Sequence, residues 1–143
     1  MRWYLYRRRR KRKRTLPKYH AEARKFLVAR TRQLASLGKF TVNKIFIKHQ
    51  KTRWGSCSTR GNINLNAKLL FLRQELRDYV IVHELCHLRH MNHSKLFWAE
   101  VQKYIPHARS LQKELRKKPY AELKIEGLKE LQKFDTIRIV TYS

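Results

Sequence analysis

Four of the seven histidines of this chain lie within one short segment, HELCHLRHMNHS (residues 83–94). His83 and His87 are four residues apart and Glu84 follows the first of them, which is the pattern H-E-x-x-H. On a helix, such residues lie about 40° apart around the axis and roughly 6 Å along it, so both imidazoles can bind one metal ion. Glu84 can then accept a proton from water without binding the metal. The pattern predicts a hydrolytic zinc centre, with nickel or cobalt as alternative metals.

A third protein ligand is needed, and three side chains compete for the position. His90 lies on the same helical face as His83 but more than about 10 Å further along the axis. His93 follows Asn92, where the helix is expected to break, and a reversal there would return its imidazole to the ion. Glu100 would be presented by the next helix. We predict His93 as the third ligand, with His90 and Glu100 as alternatives.

The histidines must be positioned by a buried helix. Apolar residues cover nearly all faces of the segment from residue 73 to residue 90 or 91, which is typical of a central helix. Ser94 is a candidate N-cap for a following helix, which Pro106 would end or kink. Cys86 lies between the two histidines of the motif and is interpreted as a structural side chain, because a ligand there would leave Glu84 without a role.

The residues before this helix predict one helix followed by strands. Pro17 suits a first helical turn and Gly38 a C-terminal stop. Alternating apolar residues predict a strand within residues 40–49 and another, with one polar face, within residues 62–71. We therefore predict an α+β fold with a small antiparallel sheet of about three strands, packed against an N-terminal helix, the central helix and C-terminal helices.

The charge is strongly positive, with 35 Lys and Arg against 10 Asp and Glu. Nine of the 35 lie in residues 2–14, which contain no acid, so residues 1–14 are predicted to form a disordered basic arm. Residues 15–117 would form the folded domain. Residues 118–143, which include the strand candidate TIRIVTY, would form a C-terminal extension. Such a field attracts nucleic acid without sequence preference.

Deletion of residues 1–14 should separate the arm from the fold. We expect the shortened protein to keep its metal and its melting temperature, because no predicted core residue is removed. Its affinity for DNA or RNA should fall and become less dependent on salt, since fewer phosphates are neutralised. Titrations at several salt concentrations measure this. Unfolding on deletion would instead show that Trp3, Tyr4 and Tyr6 are packed.

Composition also limits the cellular context. No apolar run approaches the length of a membrane span, so no membrane partner is expected. The first ten residues place their charges after a short apolar stretch, which is the wrong order for a secretory signal. Cys57 and Cys86 fit a reducing compartment and are not expected to form a disulfide. These observations predict a cytoplasmic protein.

Three segments carry a resemblance to a known family. They are RWGSCS (residues 53–58), NINLNAKLLF (residues 62–71) and DYVIVHELCHLRHMNHSKLFW (residues 78–98), and a proline follows them. Together they resemble the YgjP-like metallopeptidase family, which is itself similar to the SprT-like minimal zincins. The resemblance covers roughly residues 17–117. The chain departs from the family in its basic arm, in its C-terminal extension and in Arg73, which stands where a proline usually precedes the active-site helix.

The resemblance implies a zincin-like fold with the NINLN strand near the cleft. It also implies a zinc site of His83, His87 and His93, with Glu84 as the general base. The implied activity is metallopeptidase action on a peptide or protein substrate. A nucleotide (UTP-type) pyrophosphatase activity has also been attached to the family and is the first alternative. A basic nucleic-acid-binding protein with a structural zinc is the second.

RWGSC has two interpretations. In the first, Trp54 fills the core and Gly55 permits a bulge or a close backbone approach. In the second, Arg53 reaches the cleft and stabilises an oxyanion or a phosphate. On the polar face of the NINLN strand, Asn64 is a further candidate for contact with the substrate.

Overall fold

The computed structural model describes residues 19–117, which form four α-helices, one 3-10 helix and a small sheet. In chain order the elements are α1 (His20–Leu37), β1 (Ile45–Lys48), β2 (Gly55–Cys57), β3 (Ile63–Asn66), the 3-10 helix Ala67–Phe71, α2 (Gln74–Cys86), α3 (Lys95–Tyr104) and α4 (Ala108–Arg116). The predicted α+β class is confirmed. The basic arm, the helix start at Pro17, the C-terminal extension and the TIRIVTY strand lie outside the described residues.

The sheet has the order β1-β3-β2, so that β3 is its central strand. β2 is antiparallel to β3, as predicted, but β1 is parallel to β3, and the prediction of an antiparallel sheet is wrong for this pair. Alternation along a strand identifies its buried face but not the direction of its neighbours. The turn over residues 58–61, closed by the Gly61 N–H donating to the Ser58 carbonyl (3.0 Å), sends β3 back between the two earlier strands.

β3 holds the sheet and the segment before β2 in place. Ile63 and Leu65 are fully buried, while Asn64 points to the other face and is half-buried. The buried Asn66 amide donates to the carbonyls of Gln50 and Arg53, at 2.9 and 3.0 Å. It therefore fixes the chain that leads from β1 into β2.

α1 is attached to α2 by a two-point ion pair. The Nε of Arg30 donates to one carboxylate oxygen of Asp78 (2.9 Å) and Nη2 to the other (2.6 Å). Both side chains are largely buried, so this pair aligns the two helices. α1 ends at Leu37 with Gly38 as its C-cap, which confirms the predicted stop.

α2 ends at Cys86, earlier than the predicted residue 90 or 91. The chain leaves the helix axis because Arg89 is held by other elements. Its guanidinium donates to the carbonyls of Gly38 and Lys39 and lies 4.0 Å from the centre of the Phe40 ring. Such tertiary contacts cannot be read from helical periodicity. His90 consequently lies in the turn after α2 and not on the helix.

α3 begins where its cap predicts. The Phe97 N–H donates to the Ser94 hydroxyl (3.3 Å), which confirms Ser94 as the N-cap. The helix ends at Tyr104, two residues before Pro106. Among the helices of residues 19–117, none combines the length and the apolarity that a membrane crossing requires.

Candidate active site

Three imidazoles from α2 and the following turn converge on one point. The Nε2 atom of His83 lies 3.1 Å from that of His93 and 3.2 Å from that of His87. Tetrahedral zinc with nitrogen ligands at 2.0–2.1 Å places those nitrogens roughly 3.3 Å apart. The spacing and the nitrogen donors therefore fit a zinc ion. His90 and Glu100 are not members of this group.

The remaining ring nitrogens of two of these histidines are held by neighbours. The Nδ1 atom of His87 donates to the carbonyl of His90 (2.9 Å), and Nδ1 of His83 lies 3.2 Å from the Tyr79 hydroxyl. These contacts fix the ring orientations and direct Nε2 toward the common point, as outer partners of metal ligands do. His90 thus contributes its backbone to the site.

Phe97 packs against the imidazole rings of all three histidines. It is fully buried, stacks on His87 with ring centroids 4.5 Å apart, and meets His83 and His93 edge-on at 4.9 and 5.0 Å. Helical periodicity indicates that Phe97 is buried but not that it contacts three imidazoles. Phe97 lies three residues after the Ser94 N-cap, and this position in the first turn of α3 places its ring against the histidines of the motif.

The environment keeps the histidines in the form that binds metal. Burial, together with the neighbouring imidazoles of His87 and His93, lowers the pKa of His83 to about 3. Burial also lowers the pKa of His87. Neutral imidazole is the ligand form, so His83 and His87 need not lose a proton at neutral pH before a cation binds.

Glu84 faces an open cleft of about 230 Å³, whose walls come from β2, α2 and α4. Its side chain is only 7% exposed. Burial raises the pKa of this carboxyl to about 8, and the positive charge of Arg53 opposes the rise. A carboxyl with so strongly perturbed a pKa, in a cleft beside three metal-type donors, has the properties of a general base.

The Glu84 carboxyl fits because residue 55 is a glycine. A Cβ at Gly55 would lie 2.9 Å from both the Cγ and the Oε1 atoms of Glu84, and 3.1 Å from the Asn64 carbonyl. The prediction that Gly55 permits a close approach is confirmed. The group that approaches is the candidate catalytic side chain.

Gly55→Ala should therefore displace Glu84 without removing a metal donor. We expect the variant to bind zinc like the wild type but to hydrolyse substrate about 10²-fold more slowly, which is the scale of loss for a misplacement of about 1 Å. Activity and zinc content measured on one preparation test this. Ser56→Ala, in the same strand but outside the cleft lining, is the matched control. Full activity in Gly55→Ala would contradict the close contact.

The other predicted positions are divided between core and cleft. Arg53 is exposed and lines the cleft, whereas Trp54 is buried and contributes to both. Asn64 lies on β3 opposite Ser56 and is not a lining residue.

Glu100 is paired with Arg89 and Lys103. Cys86 is buried and Cys57 is half-buried, and both are free thiols in the structure.

One wall of the cleft was not predicted from the sequence. It is formed by α4, through Gln112, Leu115 and Arg116. Their spacing places them on one helical face, beside the buried Leu111. That spacing was the available signal, but a charged helical stretch is more often a solvated surface.

Two solved structures are similar to the chain in fold. The crystal structure of the metallopeptidase zymogen abylysin of Pyrococcus abyssi is similar to the chain at 25% identity and a TM-score of 0.56, over 62% of this chain and 90% of that one. The corresponding zymogen jannalysin of Methanocaldococcus jannaschii matches at 22% identity and a TM-score of 0.52, over 76% and 96%, which shows a shared fold. None of the curated proteins compared with the chain matches it.

A family model gives the assignment. The model described as YgjP-like, metallopeptidase domain matches residues 5–118, which is most of the chain. The match begins inside the segment predicted as a basic arm and ends one residue after the predicted domain. With the motif, the fold and the converging histidines in agreement, the prediction of a metallopeptidase is confirmed, and the chain belongs to the YgjP-like metallopeptidase family.

Proposed function

We propose that the cleft hydrolyses peptide bonds, with zinc held by His83, His87 and His93 and with Glu84 as the general base. The observation that carries this proposal is the convergence of three Nε2 atoms at zinc spacing beside a buried carboxyl in an open cleft. Within residues 19–117, no fourth His, Cys, Asp or Glu joins the group. Catalytic zinc sites have three protein ligands and keep one position open, whereas structural sites are closed by four.

Each side chain then has a separate task. Zinc, when bound, acidifies water and polarises a carbonyl group. The Glu84 carboxylate accepts the proton of the attacking water at an Oε atom and passes it to the leaving amine. Arg53 favours the ionised form of Glu84 through its charge and supplies positive potential where an oxyanion develops. The Tyr79 hydroxyl and the His90 carbonyl keep His83 and His87 oriented.

Within residues 19–117, no further strand pairs with the edge of the sheet beside Glu84, and this favours a peptide as the substrate. The Trp54 carbonyl accepts from Asn66 N–H (2.8 Å), and Ser58 N–H donates to the Asn62 carbonyl (2.9 Å). In an antiparallel pair these directions alternate, so the backbone groups of Gly55 and Cys57 face away from β3. β2 is one of the two outer strands of the sheet, and an extended peptide can pair with its edge.

The second candidate is hydrolysis of a nucleoside triphosphate. It is favoured by two arginines, Arg53 and Arg116, which line the cleft and suit phosphate oxygens. The third prediction, a nucleic-acid-binding protein with a structural zinc, accounts neither for the three-ligand group nor for the buried Glu84. We therefore rank it last.

A direct comparison of substrates tests the proposal. The zinc-loaded protein is incubated with an unfolded protein and, separately, with UTP, and peptide fragments and pyrophosphate are measured. We expect fragments that disappear on chelation and return when zinc is added. Release of pyrophosphate without any fragments would assign the site to the second candidate. Parallel loading with nickel and cobalt shows which metals support the reaction.

A further inference from the structure

Two of the three walls of the cleft carry an arginine. Arg53 lies immediately before the Trp54 and Gly55 segment, and Arg116 is the last residue of α4. Among the side chains of residues 19–117 that line the cleft, Glu84 is the single carboxylate. Glu84 is assigned to accept a proton, and one carboxylate does not balance the charges of two arginines. The part of the cleft around the candidate catalytic group therefore has an excess of positive charge.

A third arginine extends this positive region along α4. The Arg109 guanidinium lies 3.6 Å from the centre of the Trp98 ring, and that ring lies 6.3 Å from the ring of His93. Residues 109 and 116 are seven positions apart, so they share one helical face about two turns from each other. Arg116 lines the cleft together with Tyr79 and His83 of α2. The face of α4 that carries Arg109 and Arg116 therefore lies toward α2.

The described acidic residues do not neutralise these arginines. Four of the other five are held in ion pairs with different cations, and Glu22 lies in the first turn of α1. The pairs are Glu75 and Glu114 with Arg73, Asp78 with Arg30, and Glu100 with Arg89 and Lys103. Within residues 19–117, no ion pair involves Arg53, Arg109 or Arg116. Their guanidinium groups can therefore bind an anionic group of a substrate.

We propose that the cleft selects peptides with a carboxylate close to the bond that is cleaved, bound by Arg116 at the end of α4 and by Arg53 before β2. This inference rests on the proposed peptidase function and names its substrate class. A guanidinium binds a carboxylate through two parallel N–H···O bonds, which gives directional selectivity that a lysine does not. The carboxylate belongs to an Asp or Glu side chain or to the C-terminus of the peptide. The same chemistry serves both sources.

Three peptides that differ only around one cleavage site test the inference. The first carries Glu beside the scissile bond, the second carries Gln there, and the third has the Glu moved five or more residues away. The first and third have the same net charge, which separates local recognition from general attraction to a basic protein. Each is made with a free and with an amidated C-terminus, which distinguishes the two sources of the carboxylate.

The protein variants are Arg116→Gln and Arg116→Glu, with Lys113→Glu as the control. Lys113 is exposed on the same helix and does not line the cleft, so its reversal makes the same change in net charge elsewhere. Two quantities are measured at physiological salt. One is kcat/KM for each peptide, and the other is the Kd for binding to zinc-loaded Glu84→Gln carrying the same substitutions. The binding measurement does not depend on turnover.

The wild type should cleave the first peptide about tenfold better than the second or third, as expected for a charge-assisted bond in a partly enclosed site. Arg116→Gln should remove most of this preference. Arg116→Glu should reverse it, so that a fourth peptide with Lys in place of the Glu beside the scissile bond is cleaved better than the first. Lys113→Glu should keep the preference of the wild type. If the preference instead follows a free C-terminus, the terminal carboxylate is the bound group.

Equal kcat/KM and equal Kd for the three peptides in the wild type would overturn the inference while leaving the peptidase function intact. Equal losses in Arg116→Glu and Lys113→Glu would overturn it too. If no peptide is cleaved, the proposed function fails, and the Kd values still decide whether Arg116 recognises a carboxylate. Hydrolysis of UTP that depends on Arg116, without binding of the first peptide, would assign the arginines to phosphate.

Discussion

Glu84→Gln is expected to bind zinc and to melt like the wild type, while its rate of hydrolysis falls by about 10²–10⁴. Glutamine keeps the size and hydrogen-bonding capacity of the side chain but cannot accept a proton near neutral pH. A loss of this size is typical when a positioned general base is removed. The closeness of Gly55 leaves little room for another group to take its place. Zinc content, melting temperature and rate are measured on one preparation.

The result of this substitution also separates two other accounts of the site. Full activity on a verified substrate would show that Glu84 is not the base. Loss of zinc would show that Glu84 is a ligand, and the three-histidine site would have to be redrawn. His83→Ala is the matched comparison, because it should lose zinc and activity together, with some loss of stability when a bound metal no longer favours the folded state.

His93→Ala should weaken zinc binding by more than about 100-fold, because the loss of a ligand exceeds the 10–100-fold cost of losing an outer partner. His90→Ala should bind zinc nearly as well as the wild type. In the structure the His90 carbonyl, and not its imidazole, contacts His87. Competition with a chelator gives the two affinities. Retained zinc in His93→Ala with loss in His90→Ala would contradict the assignment of the ligands.

Much of this fold could be predicted because it depends on local chemistry. The C-terminal stop of α1 at Gly38 and the cap of α3 at Ser94 follow from the conformations and hydrogen bonds that these residue types favour. The convergence of His83 and His87 follows from helical spacing alone. The close approach at Gly55 was also expected, although its partner was not.

What could not be predicted depends on contacts between distant residues. The parallel pairing of β1 with β3 depends on which strands become neighbours, which alternation does not encode. The early end of α2 depends on Arg89, whose partners include the carbonyl of Gly38, about fifty residues earlier in the chain. The return of His93 to His83 was expected from a break at Asn92, yet the chain leaves the helix already after Cys86.

The α4 wall illustrates a different limit. Its sequence reads as a charged surface helix, and its residues acquire a role only because α4 packs near α2 and β2. The same holds for Phe97, which periodicity assigns to the core without indicating that three imidazoles rest on it. Both features modify the environment of a motif that the sequence identifies by itself.

The central claim is tested most directly by mass spectrometry of a peptide incubated with the zinc-loaded protein in ¹⁸O-labelled water. Hydrolysis by an activated water predicts two fragments from one internal bond, with one ¹⁸O atom in the new carboxylate of the N-terminal fragment. The fragments should be absent with Glu84→Gln and with the chelated wild type. An intact peptide, while the same preparation releases pyrophosphate from UTP, would contradict the assignment of this cleft to peptide hydrolysis.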